Sequence, residues 1–296
     1  MKKFDISIGL LSYQRTDLLK ETISSFLNTE YNIELVLLNN NEFCILSEIQ
    51  LFIQGYPNIK LNYIHFGENL GVSKGRRAIV ENCHSEYLLV LDDDVDVECF
   101  DSLVSSVLTD FNSEPELGAM AFNIVEYQTG VNNRYEIPHK TKNIDLTKDF
   151  YTYLIIGAGN ALRVDAVKKA GNFASDFGLY GFEEIDVAFR LIDSGYRIKY
   201  KADCKIHHKK SPDGRFSGDL VNQLYFENRS RMAKRNLKKR YFISCLVIRF
   251  SYLLFKTRNI KLSCSSLKLV LNDNVSRPFG SKFYEYIDEV DGFLWY

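Results

Sequence analysis

The chain has 296 residues, 46% of them hydrophobic and 25% charged, enough to bury one large core or a core with a small appendage, which excludes disordered and collagen-like classes. The net charge of −1 hides a segregation: residues 229 to 268 carry twelve Lys or Arg and no Asp or Glu, so the remainder carries −13. An acidic body with a basic, apolar-interleaved tail is the best-marked compositional boundary in the chain. Six cysteines (Cys44, Cys83, Cys99, Cys204, Cys245, Cys264) lie far apart without a CxxC pair, and no apolar leader precedes Asp5, so reduced thiols in a cytoplasmic protein are expected. No apolar run approaches the roughly 20 residues of a membrane-spanning helix. The nearest, Tyr241 to Phe255, is short and interrupted by Arg249.

Asp5 to Leu11 is a short apolar run followed by Ser12, Tyr13, Gln14 and Arg15, with Thr16 positioned to cap a helix running to about Asn28. Ile33 to Leu38 reads as a second strand and ends in Asn39-Asn40-Asn41; Ile59 to His65 reads as a third. The loop Gly67-Glu68-Asn69-Leu70-Gly71 then leads into a helix to about Cys83. Tyr87 to Leu91 is a buried-strand pattern that stops in Asp92-Asp93-Asp94-Val95-Asp96. Four acids at a strand end raise one another's pKa values, and a divalent cation is the simplest remedy. Alternating strands and helices imply a mainly parallel sheet, in which ligands bind at the carboxyl ends of strands. Ser12 to Arg15, Asn39 to Asn41 and Asp92 to Asp94 therefore share one rim, where a nucleotide-sized site is expected.

The opening turn lacks GxGxxG and no GxxxxGK[ST] occurs, so dinucleotide and P-loop sites are unsupported. A calcium loop counted from Asp92 would put Val97 and Leu103 where Gly and Glu are needed. An aspartyl-phosphate phosphatase is disfavoured by Asp96 in the place of the usual Thr or Val.

Glu126 to Phe150 is polar without a sustained period and reads as a connecting loop beside the cleft. Tyr151 to Ile156 is a strand-like run delivering Gly157 and Gly159, where a missing side chain permits close backbone approach or a tight turn. Glu183-Glu184-Ile185-Asp186 opens an amphipathic helix to about Asp193, and its acids also suit the positive helix end. After the strand-like Tyr196 to Lys201 come His207 and His208, which as strand neighbours face opposite sides, so at most one reaches a given site. His65, His84 and His139 read as structural. Beyond Ser217, Asn222 to Lys239 and Tyr241 to Phe255 interleave basic and bulky apolar residues. That pattern suits a helix lying on an anionic membrane, or one packed on the domain with its lysines solvated. No groove-reading module accompanies the charge, so no nucleic-acid partner is expected. The end, from Asn272, is aromatic-rich.

In this order the segments resemble the family-2 nucleotide-sugar glycosyltransferases with a GT-A fold, over about Ile6 to Ser211. Ser7 to Arg15 (SIGLLSYQR) looks like that family's opening strand and turn, Asn69-Leu70-Gly71 with Gly75-Arg76-Arg77 like its N-x-G…R-N helix start, and Leu91-Asp92-Asp93-Asp94 like its DXD motif. Gly157-Ala158-Gly159-Asn160 with Arg163, then Gly171-Asn172-Phe173, is similar to the acceptor-side segment; Gly181 to Asp186 with Arg190 is similar to the G-E-D-x-D…R helix.

The resemblance implies an α/β, GT-A, Rossmann-like fold: a mainly parallel central sheet flanked by helices, with a C-terminal basic helical extension. It implies a catalytic domain over residues 1–216, with a nucleotide-sugar half to about 100 and an acceptor half from 101, and an extension over 217–296. Asp94 is the expected direct ligand of Mn²⁺ or Mg²⁺, with Asp92 turned to the ribose or the metal's water shell and His207 facing metal or phosphate. Ser12, Tyr13, Arg15, Asn39, Asn69, Arg76, Asp92 and Asp93 are expected around the nucleotide sugar, Asn39 standing where the family has an acid. For Asp93 and Asp96, solvated or capping acids are an equal reading. Gly159, Asn160 and Glu183 are expected on the acceptor side. Glu184 stands where the family has its catalytic Asp, with Asp186 as the reserve base or as the partner of an Arg.

The expected activity is metal-dependent, inverting transfer from a nucleoside-diphosphate sugar, UDP or dTDP favoured, to a hydroxyl of a glycan or lipid-linked glycan. Bacterial surface polysaccharide synthesis is the expected setting, in the cytoplasm or peripherally on the inner face of the cell membrane. A nucleotidyltransferase and a non-catalytic nucleotide- or glycan-binding protein are the alternatives.

Overall fold

The computed structural model describes residues 4–141, 143–211 and 216–295. Its first hundred residues alternate strand and helix: β1 (Ile6–Ser12), α1 (Thr16–Ser24), β2 (Ile33–Asn39), α2 (Leu46–Ile53), β3 (Ile59–His65), α3 (Val72–Asn82) and β4 (Tyr87–Asp92). These four strands are parallel in the order β3-β2-β1-β4. β1 and β2 are buried along almost their whole length, as near-continuous apolar runs must be when helices cover both faces. Ser12 pairs with Asn39, Asn39 with His65, and Leu11 with Asp92, so the carboxyl ends form the single rim that the sequence implied.

The second half supplies β5 (Val95–Asp96), α4 (Phe100–Ser113), β6 (Leu117–Glu126), β7 (Phe150–Thr152), β8 (Gly159–Arg163), α5 (Val164–Lys169), α6 (Glu183–Asp193) and β9 (Arg197–His208). β8 runs antiparallel between β4 and β6; β9 follows β6 in parallel and carries the short β5 and β7 antiparallel. Phe122 pairs with Lys201 but Asn123 with Lys205, so β9 bulges between them. One core face packs α3, α5 and α6 on the sheet, with Ile79, Val167 and Leu191 among its buried residues. The other packs α1, α2 and α4, through Leu19, Ile49 and Val104.

The last helices are α7 (Gly218–Asn236), α8 (Lys239–Thr257), α9 (Ile260–Leu271) and α10 (Ser281–Glu289). α10 returns to the domain: Phe283 is fully buried, and the Tyr286 hydroxyl donates to the Thr152 carbonyl (2.8 Å) while accepting from the Ile198 amide (3.0 Å). α7, α8 and α9 share a small core around Phe226, Leu253 and Val270.

Three local expectations change. Thr16 is the first helical residue rather than a cap; Arg15 stands at the cap position without a capping hydrogen bond, and α1 ends at Ser24, four residues before Asn28. The run Tyr151 to Ile156 is strand only at its start, because the chain then leaves the sheet to bury Tyr153 and Ile155. The strand expected over Tyr196 to Lys201 continues through the bulge to His208.

Candidate active site

The acids after β4 differ in their surroundings. Asp93 is fully buried, does not line the cleft, and is ion-paired to Arg15. Burial pushes its carboxyl up to about 7 against the pull of the Arg15 guanidinium. Asp94 accepts from Arg15 Nη1 and the Ser211 amide, both at 3.0 Å. Arg15 therefore spans two carboxylates; its guanidinium, a donor only, has no acceptor with which to cap the amides of α1.

His208 Nε2 lies 3.3 Å from Asp94 Oδ1, and its Nδ1 lies 2.5 Å from Glu136 Oε1. Burial would lower the imidazole pKa, but the two carboxylates overcome it and push the ring up to about 10. Burial would likewise raise Asp94, yet the facing His208 and Arg15 hold it below the ordinary carboxylate range. The imidazolium thus adds to the positive charge that Arg15 and Arg76 bring to these aspartates. Asp92, Asp94 and His208 each offer a ligand atom, and these lie within 4.8 Å of one another. Asp94 Oδ1 is buried without a hydrogen bond, so the set fits a divalent cation that displaces the imidazolium proton.

Across the cleft, Arg76 is buried and forks between two elements. Its Nη1 donates to Glu183 Oε1 (2.8 Å), and its Nη2 donates to Asp92 Oδ1 (3.0 Å) and the Gly157 carbonyl (2.7 Å). A Cβ on Gly157 would stand 3.0 Å from that guanidinium, so a larger residue there would require Arg76 to shift by a few tenths of an ångström. Burial raises Asp92 despite Arg76. The neighbouring Glu184 is half-buried in the cleft wall; desolvation first, then the charge of Glu183, raises its carboxyl well above the ordinary range. Four rings complete the wall: Tyr180 stands 5.9 Å from Tyr225 and 6.3 Å from Phe216, which stacks 6.4 Å from Tyr13.

Tyr13, Arg15, Asn69, Arg76, Asp92, Asp94, Glu183 and Glu184 therefore line one cleft of about 620 Å³. Other expected residues do not reach it. Ser12 is buried at the end of β1. Asn39 turns inward, donating to the Phe43 carbonyl (2.7 Å) and the Tyr63 hydroxyl (2.9 Å), and Asn40 lines the cleft instead. Asn160 donates to the Ile156 carbonyl (3.0 Å) within the sheet layer, and a Cβ on Gly159 would meet the Ile206 side chain at 2.1 Å, a packing requirement. Asp186 is buried in an ion pair with Arg190, the partner role allowed for it. His207 is corrected: it lies 3.5 Å from Glu98 on the opposite side of β9, and His208 faces the aspartates. Glu136, Lys210, Phe216 and Tyr225 were not anticipated. Glu136 comes from a loop without periodicity; Tyr225 stood in a segment whose basic charge masked it.

Residues 7–171 match the sequence profile described as glycosyl transferase family 2. The chain is 35% identical over 168 residues to an uncharacterised protein of Haemophilus influenzae, covering 56% of this chain and 91% of that one. It is 24% identical over 208 residues to poly-beta-1,6-N-acetyl-D-glucosamine synthase of Staphylococcus epidermidis, covering 66% of this chain but only 48% of that relative. The mannosyltransferase PcManGT of Pyrobaculum calidifontis, solved with GDP-Man and Mn²⁺, superposes with a TM-score of 0.60 at 14% identity, over 91% of this chain and 74% of that one. TarS of S. aureus in complex with UDP-GlcNAc superposes with a TM-score of 0.61 at 13% identity, over 96% and 81%. At these identities the superpositions speak to the fold, which is GT-A.

Proposed function

The chain belongs to glycosyl transferase family 2, and from that premise we propose that it moves a sugar from a nucleoside diphosphate to an acceptor hydroxyl, with a divalent cation at Asp92, Asp94 and His208 and with Glu184 as the base. The observation that carries this reading is that the ligand triad and Glu184 line the same cleft. A cation there would offset the negative charge that builds on the departing diphosphate. Mn²⁺ suits one imidazole among oxygen donors better than Mg²⁺, which prefers oxygen alone.

Arg15 and Lys210 add positive charge to the donor end. Glu184 takes the hydroxyl proton; its raised pKa makes the ionised carboxylate a stronger base than an exposed one while lowering the fraction ionised. Attack from the side opposite the leaving group inverts the anomeric carbon. Arg76 ties Asp92 to Glu183, which stands beside the base. Tyr13, Tyr180, Phe216 and Tyr225 supply flat apolar faces for the sugar rings and base.

We favour a UDP or dTDP sugar as donor and a glycan or lipid-linked glycan as acceptor. Bacterial surface polysaccharide synthesis at the inner face of the cell membrane is the setting; the partial likeness to the Staphylococcus epidermidis synthase supports it. The test is a panel of nucleotide sugars with Mn²⁺ and oligosaccharide acceptors. Free nucleoside diphosphate with an elongated acceptor is the expected outcome. Pyrophosphate release would mean nucleotidyl transfer, and donor binding without product would mean a binding protein.

A further inference from the structure

α8 is apolar on both sides. Its inner side packs Phe242, Leu246, Phe250 and Leu253 against Phe226 of α7 and Val270 of α9. Its outer side exposes Ile243, Val247, Ile248, Tyr252 and Phe255, with Val247 at 60% and Phe255 at 72%, spread over about half of the helix's circumference. Ile260 and Leu269 of α9 continue the exposure. A helix apolar all round is ordinarily buried, so the outer side calls for a cover.

Charge identifies that cover. Lys239, Arg240, Lys256, Arg258, Lys261 and Lys268 are exposed on the same hairpin, and none of the six has a salt bridge among the described residues. Some surface cations elsewhere are matched, as in Lys20–Glu48, Lys140–Asp291 and Arg197–Glu289, and others such as Lys60 and Lys205 are not, among the described residues. On the hairpin six unmatched cations stand beside an exposed apolar surface with no acid among residues 229 to 268. We propose that the outer face of the α8–α9 hairpin docks on an anionic lipid bilayer and lies within its interface.

Among the described residues no helix is long and apolar enough to cross a membrane, which leaves the in-plane position. The isoleucine, valine, tyrosine and phenylalanine side chains enter the headgroup boundary while the long basic side chains extend to the lipid phosphates. The chain outside residues 229 to 268, at −13, is repelled by the same surface, and this orients the molecule hairpin-first. A nucleic acid would answer the charge and leave the apolar residues exposed. A second copy would answer the apolar residues and set like charges against each other. The inference stands on the hairpin alone, although a lipid-linked acceptor would be presented at that surface.

The experiment is sedimentation of the full chain with phosphatidylcholine vesicles and with vesicles that also contain phosphatidylglycerol, at low and high salt. Binding to the mixed vesicles should be at least tenfold stronger and should weaken with salt. The triple variant Lys256→Glu, Arg258→Glu, Lys261→Glu should lose at least tenfold. Val247→Ser with Phe255→Ser should lose severalfold at unchanged charge, and both variants should keep wild-type donor turnover on a soluble acceptor. Wild-type vesicle binding by the triple variant, or no binding to mixed vesicles at low salt, overturns the proposal. So does duplex-DNA binding, or a dimer abolished by the serine pair, when vesicles are not bound.

Discussion

Glu183 and Glu184 are adjacent on α6 and meet different fates. Glu183 is neutralised by Arg76, whereas Glu184 keeps a raised carboxyl on the cleft wall. If Glu184 is the base, Glu184→Gln should lower kcat by about 10²–10⁴-fold, the usual worth of a positioned general base. Donor affinity should stay within about twofold, because the amide keeps the shape and loses only proton acceptance. Titration calorimetry with donor and Mn²⁺, alongside initial rates, separates the two; wild-type turnover would remove Glu184 from the role. The histidine pair gives a second contrast. His208→Ala should weaken Mn²⁺-dependent donor binding by at least about tenfold. His207→Ala should leave it near wild type, since His207 faces Glu98 across the strand. Equal losses from both would mean that neither acts as a ligand. The sequence showed that the two histidines oppose each other, because side chains alternate along any strand. Which one turns inward depends on the bulge between Lys201 and Lys205, a tertiary feature without a local signal.

At the scale of elements, the cleft depends on α7 although its sequence reads as a basic surface helix. Asn228 of α7 donates to the carbonyls of Tyr180 (3.1 Å) and Gly181 (2.8 Å) and accepts from the Gly178 amide (3.1 Å). The loop carrying Tyr180 is thereby fixed beside Glu184. Lower on the helix, Arg231 and Arg235 both bind Asp273, just beyond α9, and Asp176, before α6. Burial opposes the Asp273 charge, yet the two guanidinium groups hold its pKa down to about 2. A carboxyl depressed in the folded state contributes stability that is present above its ordinary pKa and fades as pH falls toward the folded value. Urea unfolding followed between pH 5 and pH 2 should therefore show Asp273→Asn less stable than the wild type by roughly 2 kcal/mol at the upper end, with the gap closing at the lower end. A gap that persists at low pH would assign the loss to packing. These ties join residues far apart in sequence, and no periodicity announces them. The strands and the start of α6 were legible because apolar runs and clustered acids are local signals.

For the whole molecule, the same contrast separates the half of the sheet domain before residue 100 from the half after it. The rim at the ends of β1, β2 and β4 could be read from strand order alone, because parallel strands in register must end together. The seam between the halves could not, since it depends on one buried guanidinium reaching Asp92 at the end of β4, Glu183 at the start of α6 and the Gly157 carbonyl before β8. Removing a partner from a buried ion pair leaves uncompensated charge and costs about 3–5 kcal/mol. Arg76→Ala should therefore lower the thermal midpoint by about 10 °C, taking roughly 2–4 °C per kcal/mol for a chain of this size. Arg76→Lys should recover little of it, because an ammonium cannot present the planar fork that engages both carboxylates. The test is differential scanning calorimetry of the three proteins. If alanine shifts the midpoint by less than about 2 °C, or lysine restores it fully, the seam behaves as a solvent-screened pair worth under about 1 kcal/mol. The halves would then be held by sheet pairing between β4 and β8 and by the apolar cores they share.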